Sequence, residues 1–196
     1  MFAREAGPLQ QDQPLDFVQS RRYLATLPDW ETGRPDVGPL ATYLPRMRAL
    51  LRRLDDPQRA YRSVIVGGTN GKGTTGSFLS ALIEASGARS GFYSSPHLHS
   101  VRERIRSSGL PADKDVWADG VLCIRDAGVG FESEGYGGFT KFEALTALSA
   151  LLFRDADIEV GVFEVGLGGR LDATHLLSPS STALTSIGLE HTPQLG

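Results

Sequence analysis

The sequence predicts an α/β fold: a mainly parallel sheet flanked by helices, with a phosphate-loop motif after its first strand. Short β-branched runs, "SVIV" (63–66) and "VGVFEV" (160–165), alternate with longer stretches of helical periodicity. Both runs end in glycines, at Gly67 and Gly68 and again at Gly166, Gly168 and Gly169. Strands joined through helices take right-handed crossovers, so they pair in parallel and place helices on both sheet faces.

Residues 1–35, rich in proline, glutamine and charge, read as a partly irregular N-terminal arm with one amphipathic patch from Phe17 to Leu27. From residue 36 the chain reads as one domain. Leu40, Tyr43, Leu44, Met47, Leu50, Leu51 and Leu54 recur at helical intervals, with Pro45 in the first turn or at a kink. The arginines of "RMRALLRRL" (46–54) then fall on a solvated face. After "SVIVGG" comes a glycine loop and a helix from Thr74 to Ser86, closed by Gly87. "RSGFYS" is a second strand, "RERIRSSG" a short extended piece with a turn, and Asp113 caps a helix to about Ala127. Cys123 falls on that helix as a core residue. "GVGFESEGYGG" reads as a flexible loop. Thr140 with Glu143 three residues later has capping-box spacing, and "STALTSIG" is a last strand.

Composition narrows the function classes. A chain of 196 residues, 40% hydrophobic and 22% charged, suits a globular domain. No apolar run approaches the roughly 18–20 residues that span a bilayer, and the N-terminus lacks the apolar core of a secretory signal. One cysteine excludes an internal disulfide and fits a reducing cytoplasm. A net charge of −3 gives no reason to expect nucleic acid. The expectation is a cytoplasmic protein acting on small molecules, with neither membrane nor nucleic acid as partner.

The chemistry concentrates in four loops. In "VIVGGTNGKGTT" a strand, a glycine loop and a helix start aim backbone N–H groups at an anion, which the helix dipole also favours. Lys72 suits phosphate neutralisation and a following hydroxyl suits Mg²⁺. The usual order puts serine or threonine directly after the lysine; here Gly73 intervenes before Thr74 and Thr75. The bland alternative is a glycine turn entering a helix. Glu164 interrupts an apolar strand, where an unpaired carboxylate costs several kcal/mol, so it needs a cation or a set of donors. Gly68, Ser95 and Glu164 lie at or just past the carboxyl ends of predicted strands and His191 follows another, and in a parallel sheet those ends share the edge where ligands bind. Glu164, Thr74 and Ser95 suit Mg²⁺ as oxygen ligands, whereas His191 can ligate, orient a ligand or be structural. His97 and His99 read as loop hydrogen-bonders. Arg102 and Arg104 either hold an anionic substrate or pair with Glu103 and other acids.

On these motifs the sequence resembles the bifunctional folylpolyglutamate synthase/dihydrofolate synthase family of the Mur ligase superfamily. The likeness rests on "GGTNGKGTT", "YSSPHL", "VRERIRSSG", "FEVGLGGRLDAT" and "SIGLEHT", with Glu190 where the family usually has aspartate. The resemblance implies a nucleotide cradle of Gly68, Thr69, Asn70, Gly71, Lys72, Gly73, Thr74 and Thr75 for ATP. It implies Thr74, Ser95, Glu164 and His191 around Mg²⁺, with Lys72, Glu164 and His191 catalytic. For substrate it implies, more weakly, His97, Arg102, Arg104 and Phe142. The implied activity joins L-glutamate to dihydropteroate, or to the γ-carboxylate of a folate polyglutamate, through an acyl phosphate. Members of the family are about twice this length. Residues 36–196 are therefore expected to be a C-terminally truncated Mur-ligase-like ATP-binding domain, lacking the separate glutamate-ligase domain. The full-length protein would be a monomer and this portion alone inactive. The rival readings are a cell-wall amino acid ligase of the same superfamily, a small-molecule P-loop kinase or NTPase, and a non-catalytic nucleotide-binding module.

Overall fold

A computed structural model describes residues 14–29, 31–33 and 42–189. The Leu40 end of the second helical pattern, Glu190 and His191 lie outside the described residues. The helices are α1 (Phe17–Thr26), α2 (Tyr43–Arg53), α3 (Lys72–Ala85), α4 (Lys114–Ala127) and α5 (Lys141–Asp155). The strands are β1 (Arg62–Gly67), β2 (Ser90–Tyr93), β3 (Ile105–Ser107), β4 (Leu110–Pro111), β5 (Val160–Glu164) and β6 (Ser181–Leu184). They form one sheet in the order β4–β3–β2–β5–β1–β6. The run from β2 to β6 is parallel, and β3 with β4 adds an antiparallel hairpin at the far edge. The mainly parallel, helix-flanked architecture expected from the sequence is the one observed.

The two faces are covered unequally. On one, Val66, Phe92 and Val162 meet Leu79 and Ile83 of α3. The other carries the main core, in which α5 is buried from Glu143 to Phe153. A helix apolar on nearly all sides must be enclosed by other elements, and α2, α4 and α1 enclose this one. Burial of Leu24 draws α1 into the same core. On α3, Phe78 and Leu82 remain 69% and 68% exposed.

Several expectations need correction. Arg46 is not on a solvated face: it is fully buried, with Nε and Nη2 donating to the Glu143 carboxylate at 3.0 and 2.8 Å and Nη1 to the Tyr136 carbonyl at 3.2 Å. Arg48, Arg52 and Arg53 are exposed as expected, Arg53 donating to the carbonyls of Ala127 and Val129 and pairing with Glu134. Helical spacing places Arg46 on the inward stripe with Leu50, and its compensating carboxylate lies 97 residues away, beyond the reach of local pattern. Cys123 is exposed rather than core, on the outer side of α4. Most of the loop after α4 is exposed, but Phe131 within it is only 2% exposed and ringed by Tyr136, Phe139 and Arg53. Helix α3 begins at Lys72, two residues before the expected start. Asp113 occupies the cap position of α4 without a side-chain capping bond.

The capping box at α5 forms as expected: the Thr140 N–H and Oγ1 donate to Glu143 Oε2 at 2.7 and 3.0 Å, and the Glu143 N–H donates to Thr140 Oγ1 at 3.2 Å. Glu143 thus ties α2 to the start of α5. Removing one partner of a buried ion pair strands the other charge at a cost of about 3–5 kcal/mol. Arg46→Ala should lower the unfolding free energy by that amount in urea titration, whereas Arg48→Ala, on the exposed side of α2, should change it by about 0.5 kcal/mol or less.

Candidate active site at the carboxyl edge of the sheet

Four connections meet at the carboxyl ends of the parallel strands. The glycine loop leaves β1 through Gly68, whose φ is +130°; a Cβ there would fall 2.0 Å from Thr185 Oγ1, so only glycine fits. The Thr69 N–H donates to the Ser186 carbonyl at 2.7 Å, and Asn70 bridges Ser186. The Gly188 N–H donates to Thr69 Oγ1 at 3.0 Å, and that hydroxyl donates to the Gly188 carbonyl at 3.2 Å. The loop is therefore laced to the segment after β6. Gly71 sits at the cap of α3, and Lys72, its first residue, donates from Nζ to the Thr69 carbonyl at 3.0 Å. Thr74 and Thr75 lie exposed in the first turn.

Glu164 ends β5 only 6% exposed. Its Oε2 accepts the Ser95 N–H at 3.1 Å, its carboxylate also accepts the Gly73 N–H, and the Lys72 charge is close enough to act on it. Burial pushes its pKa above the ordinary 4.5, against the opposing pull of the Ser95 N–H, Lys72 and the Gly73 N–H. A Cβ at position 73 would lie 3.3 Å from Glu164 Oε2. Gly73, which departs from the usual motif order, gives this carboxylate room against the helix start.

The Ser95 loop is braced from behind. Arg104, 2% exposed, donates from Nε to His97 Nδ1 at 2.9 Å and pairs through Nη2 with Glu31 at 2.6 Å. Burial and the Arg104 charge hold the His97 pKa below 6.5. Arg102 points elsewhere, donating to the Ala112 carbonyl at 2.6 Å and lying over the Phe17 ring. Neither arginine pairs with Glu103, whose carboxylate accepts the N–H groups of Leu98 and Ser100 at 3.0 and 2.8 Å. Lys72, Gly73, Ser95 and Glu164 thus come together, with Gly68, Thr69 and Asn70 in the adjoining loop; Arg102 lies apart, and His191 is outside the described residues.

Sequence reasoning missed two parts of this site. One is the lacing of Thr69 and Asn70 to Ser186 and Gly188, a contact across well over a hundred residues without a local signal. The other is Asp172, 7% exposed. Its Oδ2 accepts the Gly166 and Leu167 N–H groups at 3.1 and 3.0 Å, and its Oδ1 accepts the Thr174 N–H and Oγ1 at 2.9 and 2.6 Å. It folds the loop after Glu164 into a fixed turn. Its signal was the Asp-Ala-Thr order, aspartate with a donor two residues on. Phe142 backs the same turn, its ring within 2.6 Å of where a Gly166 Cβ would stand. A cavity of about 190 Å³ lies between Gly68, Lys72, Gly166, Leu167, Ile187 and Gly188.

This arrangement offers a cation, loop amides and a helix start on one side of a buried carboxylate. Among the described residues no three His, Cys, Asp or Glu side chains gather as a metal cage. A single carboxylate beside an anion cradle suits Mg²⁺, which keeps waters and takes phosphate oxygens, and does not suit zinc. No helix among the described residues is long and apolar enough to cross a membrane.

Comparison with known proteins adds an independent line. No protein-family model matches the chain. It is 35% identical over 168 residues to the dihydrofolate synthase/folylpolyglutamate synthase of Bacillus subtilis, covering 85% of this chain and 39% of that one. Among solved structures, Mycobacterium tuberculosis folylpolyglutamate synthase complexed with ADP superposes with a TM-score of 0.79 at 34% identity, over 92% of this chain and 38% of that one. E. coli FolC in complex with DHPP and ADP gives 0.79 and 34%, over 96% and 42%. The chain spans well under half the length of each.

Two outcomes follow from the geometry. A folded carboxyl that keeps its proton to higher pH than the unfolded one makes stability fall as pH rises above 4.5. Without metal or nucleotide, Glu164→Gln should therefore melt higher than the native chain at neutral pH, the gap closing as pH approaches 4.5 from above. Asp172→Ala removes the acceptor for two loop amides. Each net hydrogen bond is worth about 1 kcal/mol or somewhat more. Amide exchange at Gly166 and Leu167 should accelerate about tenfold, as read by NMR, while amides of α5 keep their protection.

Proposed function

The chain is related in sequence and fold to part of the folylpolyglutamate synthase/dihydrofolate synthases, and we propose that it supplies the ATP-binding part of such a ligase. The whole protein would add L-glutamate to dihydropteroate, to the γ-carboxylate of a folate polyglutamate, or to both. The observation that carries this reading is the buried Glu164 carboxylate, held against Ser95 and the start of α3 beside Lys72. On this reading residues 36–196 form the nucleotide domain, and a second domain completes the glutamate site.

The reaction brings two anions, a triphosphate and a carboxylate, into line, and their repulsion must be offset. Lys72 turns its Nζ from the Thr69 carbonyl to the phosphates, and the loop from Gly68 to Thr75 offers its amides to them. Mg²⁺ would be held by Glu164, with Thr74 and Ser95 as hydroxyl ligands and His191 at a second ion, and would neutralise the charge that develops during transfer. The acceptor carboxylate takes the γ-phosphate as an acyl phosphate, the glutamate amine attacks the acyl carbon, and phosphate departs. His97 and Phe142 border the acceptor; Arg104 holds His97 in place. Arg102, turned toward Ala112 and Phe17, has a supporting role at most.

A charge-assisted bond to phosphate contributes about 1.5–3 kcal/mol. Lys72→Ala should weaken binding of Mg²⁺-ATP to this chain by about 10- to 100-fold in calorimetric titration, with the fold unchanged by circular dichroism. In the full-length protein, ADP release should require dihydropteroate or tetrahydrofolate together with L-glutamate, and should not occur with UDP-linked peptides. ADP release independent of a pterin would overturn the folate assignment.

A further inference from the structure

The sheet has a second cavity at its opposite, amino edge. Its volume is about 830 Å³, and it lies under the starts of β1 and β5, between Arg59, Arg62, Arg89 and Arg154. Among the described residues, the carboxylates lining it are Asp157 and Glu159, while Asp56 and Asp155 pair with Arg59 and Arg154 at its margin.

The backbone at this edge is already satisfied. The Arg62 N–H donates to the Glu159 carbonyl at 3.1 Å, and the Glu159 and Val160 N–H groups both donate to the Arg89 carbonyl, at 3.0 and 3.2 Å. The guanidinium groups are not. Arg89 commits Nε to the Asp157 carbonyl at 2.7 Å, leaving its two terminal nitrogens. Arg154 commits Nε to Asp155 and Nη1 to the Leu54 carbonyl, leaving Nη2. Arg59 reaches Asp56 only at 3.5 Å with its side chain 73% exposed. Arg62 makes no side-chain bond to any described residue.

An arginine in the last turn of a helix offsets the helix dipole, which accounts for Arg154 at the end of α5. It does not account for Arg62 at the start of a strand, or for the uncommitted terminal nitrogens of Arg89 in a separate connection. Guanidinium forks bind phosphate and carboxylate oxygens in pairs, and a cavity of this size admits a ligand as large as a nucleotide. We propose that this amino-edge cavity is a binding site for a multivalent oxyanion, separate from the site over Lys72 and independent of its assignment. Two sources carry that chemistry: a chain of phosphates, or a chain of carboxylates such as a γ-linked oligoglutamate.

The test is calorimetric titration of the Lys72→Ala chain, in which the other candidate anion site is disabled, with tripolyphosphate and with tetra-γ-glutamate. Saturable binding of at least one is expected, weakening with salt, and falling tenfold or more when Arg59→Ala and Arg62→Ala are added. Both side chains are exposed, so the melting temperature of that variant should match its parent and separate lost binding from lost fold. Tripolyphosphate binding alone identifies a phosphate ligand; tetra-γ-glutamate binding identifies a polycarboxylate. The proposal is overturned if neither ligand binds saturably, or if the two arginine substitutions leave the affinity unchanged.

Discussion

The Glu164 carboxylate is where the sheet edge is tied together. It sits 6% exposed at the end of a central strand, and it is tolerable there because donors from two other connections converge on it. The Ser95 N–H comes from the loop after β2, and the Gly73 N–H from the first turn of α3. One side chain thus fixes the relative positions of three loops that sequence separates by nearly a hundred residues. The glycine at position 73 is part of the same device, because a side chain there would press on the carboxylate.

A second polar anchor works at the entrance to α5. Glu143 closes that helix's capping box and binds the buried Arg46 guanidinium, joining α2 to the end of α5 that borders the site. Phe142, one residue away, is thereby held against the Gly166 turn, and Asp172 clamps that turn from inside. The loop after Glu164 is therefore braced from both sides. Rigid polar support behind a reactive edge keeps ligand groups within the narrow tolerances that transfer chemistry requires.

What the sequence revealed was what is local. The four parallel strands, the Thr140–Glu143 box and the glycine loop all declare themselves within a dozen residues, as alternation, spacing or composition. The convergence of Glu164 and Lys72 followed from one topological rule, that parallel strands share a carboxyl edge. What stayed hidden was non-local pairing. Arg46 reads as a surface residue until its distant carboxylate is known, and Arg104 as either an anion ligand or an ion-pair partner until Glu31 and His97 are seen to occupy it. Cys123 went wrong for a different reason: apolar type on an amphipathic helix does not fix the side it faces, and this one faces out.

The bare side of α3 has a colloidal consequence. Phe78 and Leu82 stand one helical turn apart and largely in water. An oily ridge invites adhesion between copies, which a modest net charge of −3 opposes. That repulsion fades beyond about 8 Å at physiological ionic strength, while the apolar attraction does not depend on it. Brine therefore strips the chain of its long-range defence and leaves its stickiness intact, so dilute buffer keeps it dispersed better than concentrated salt.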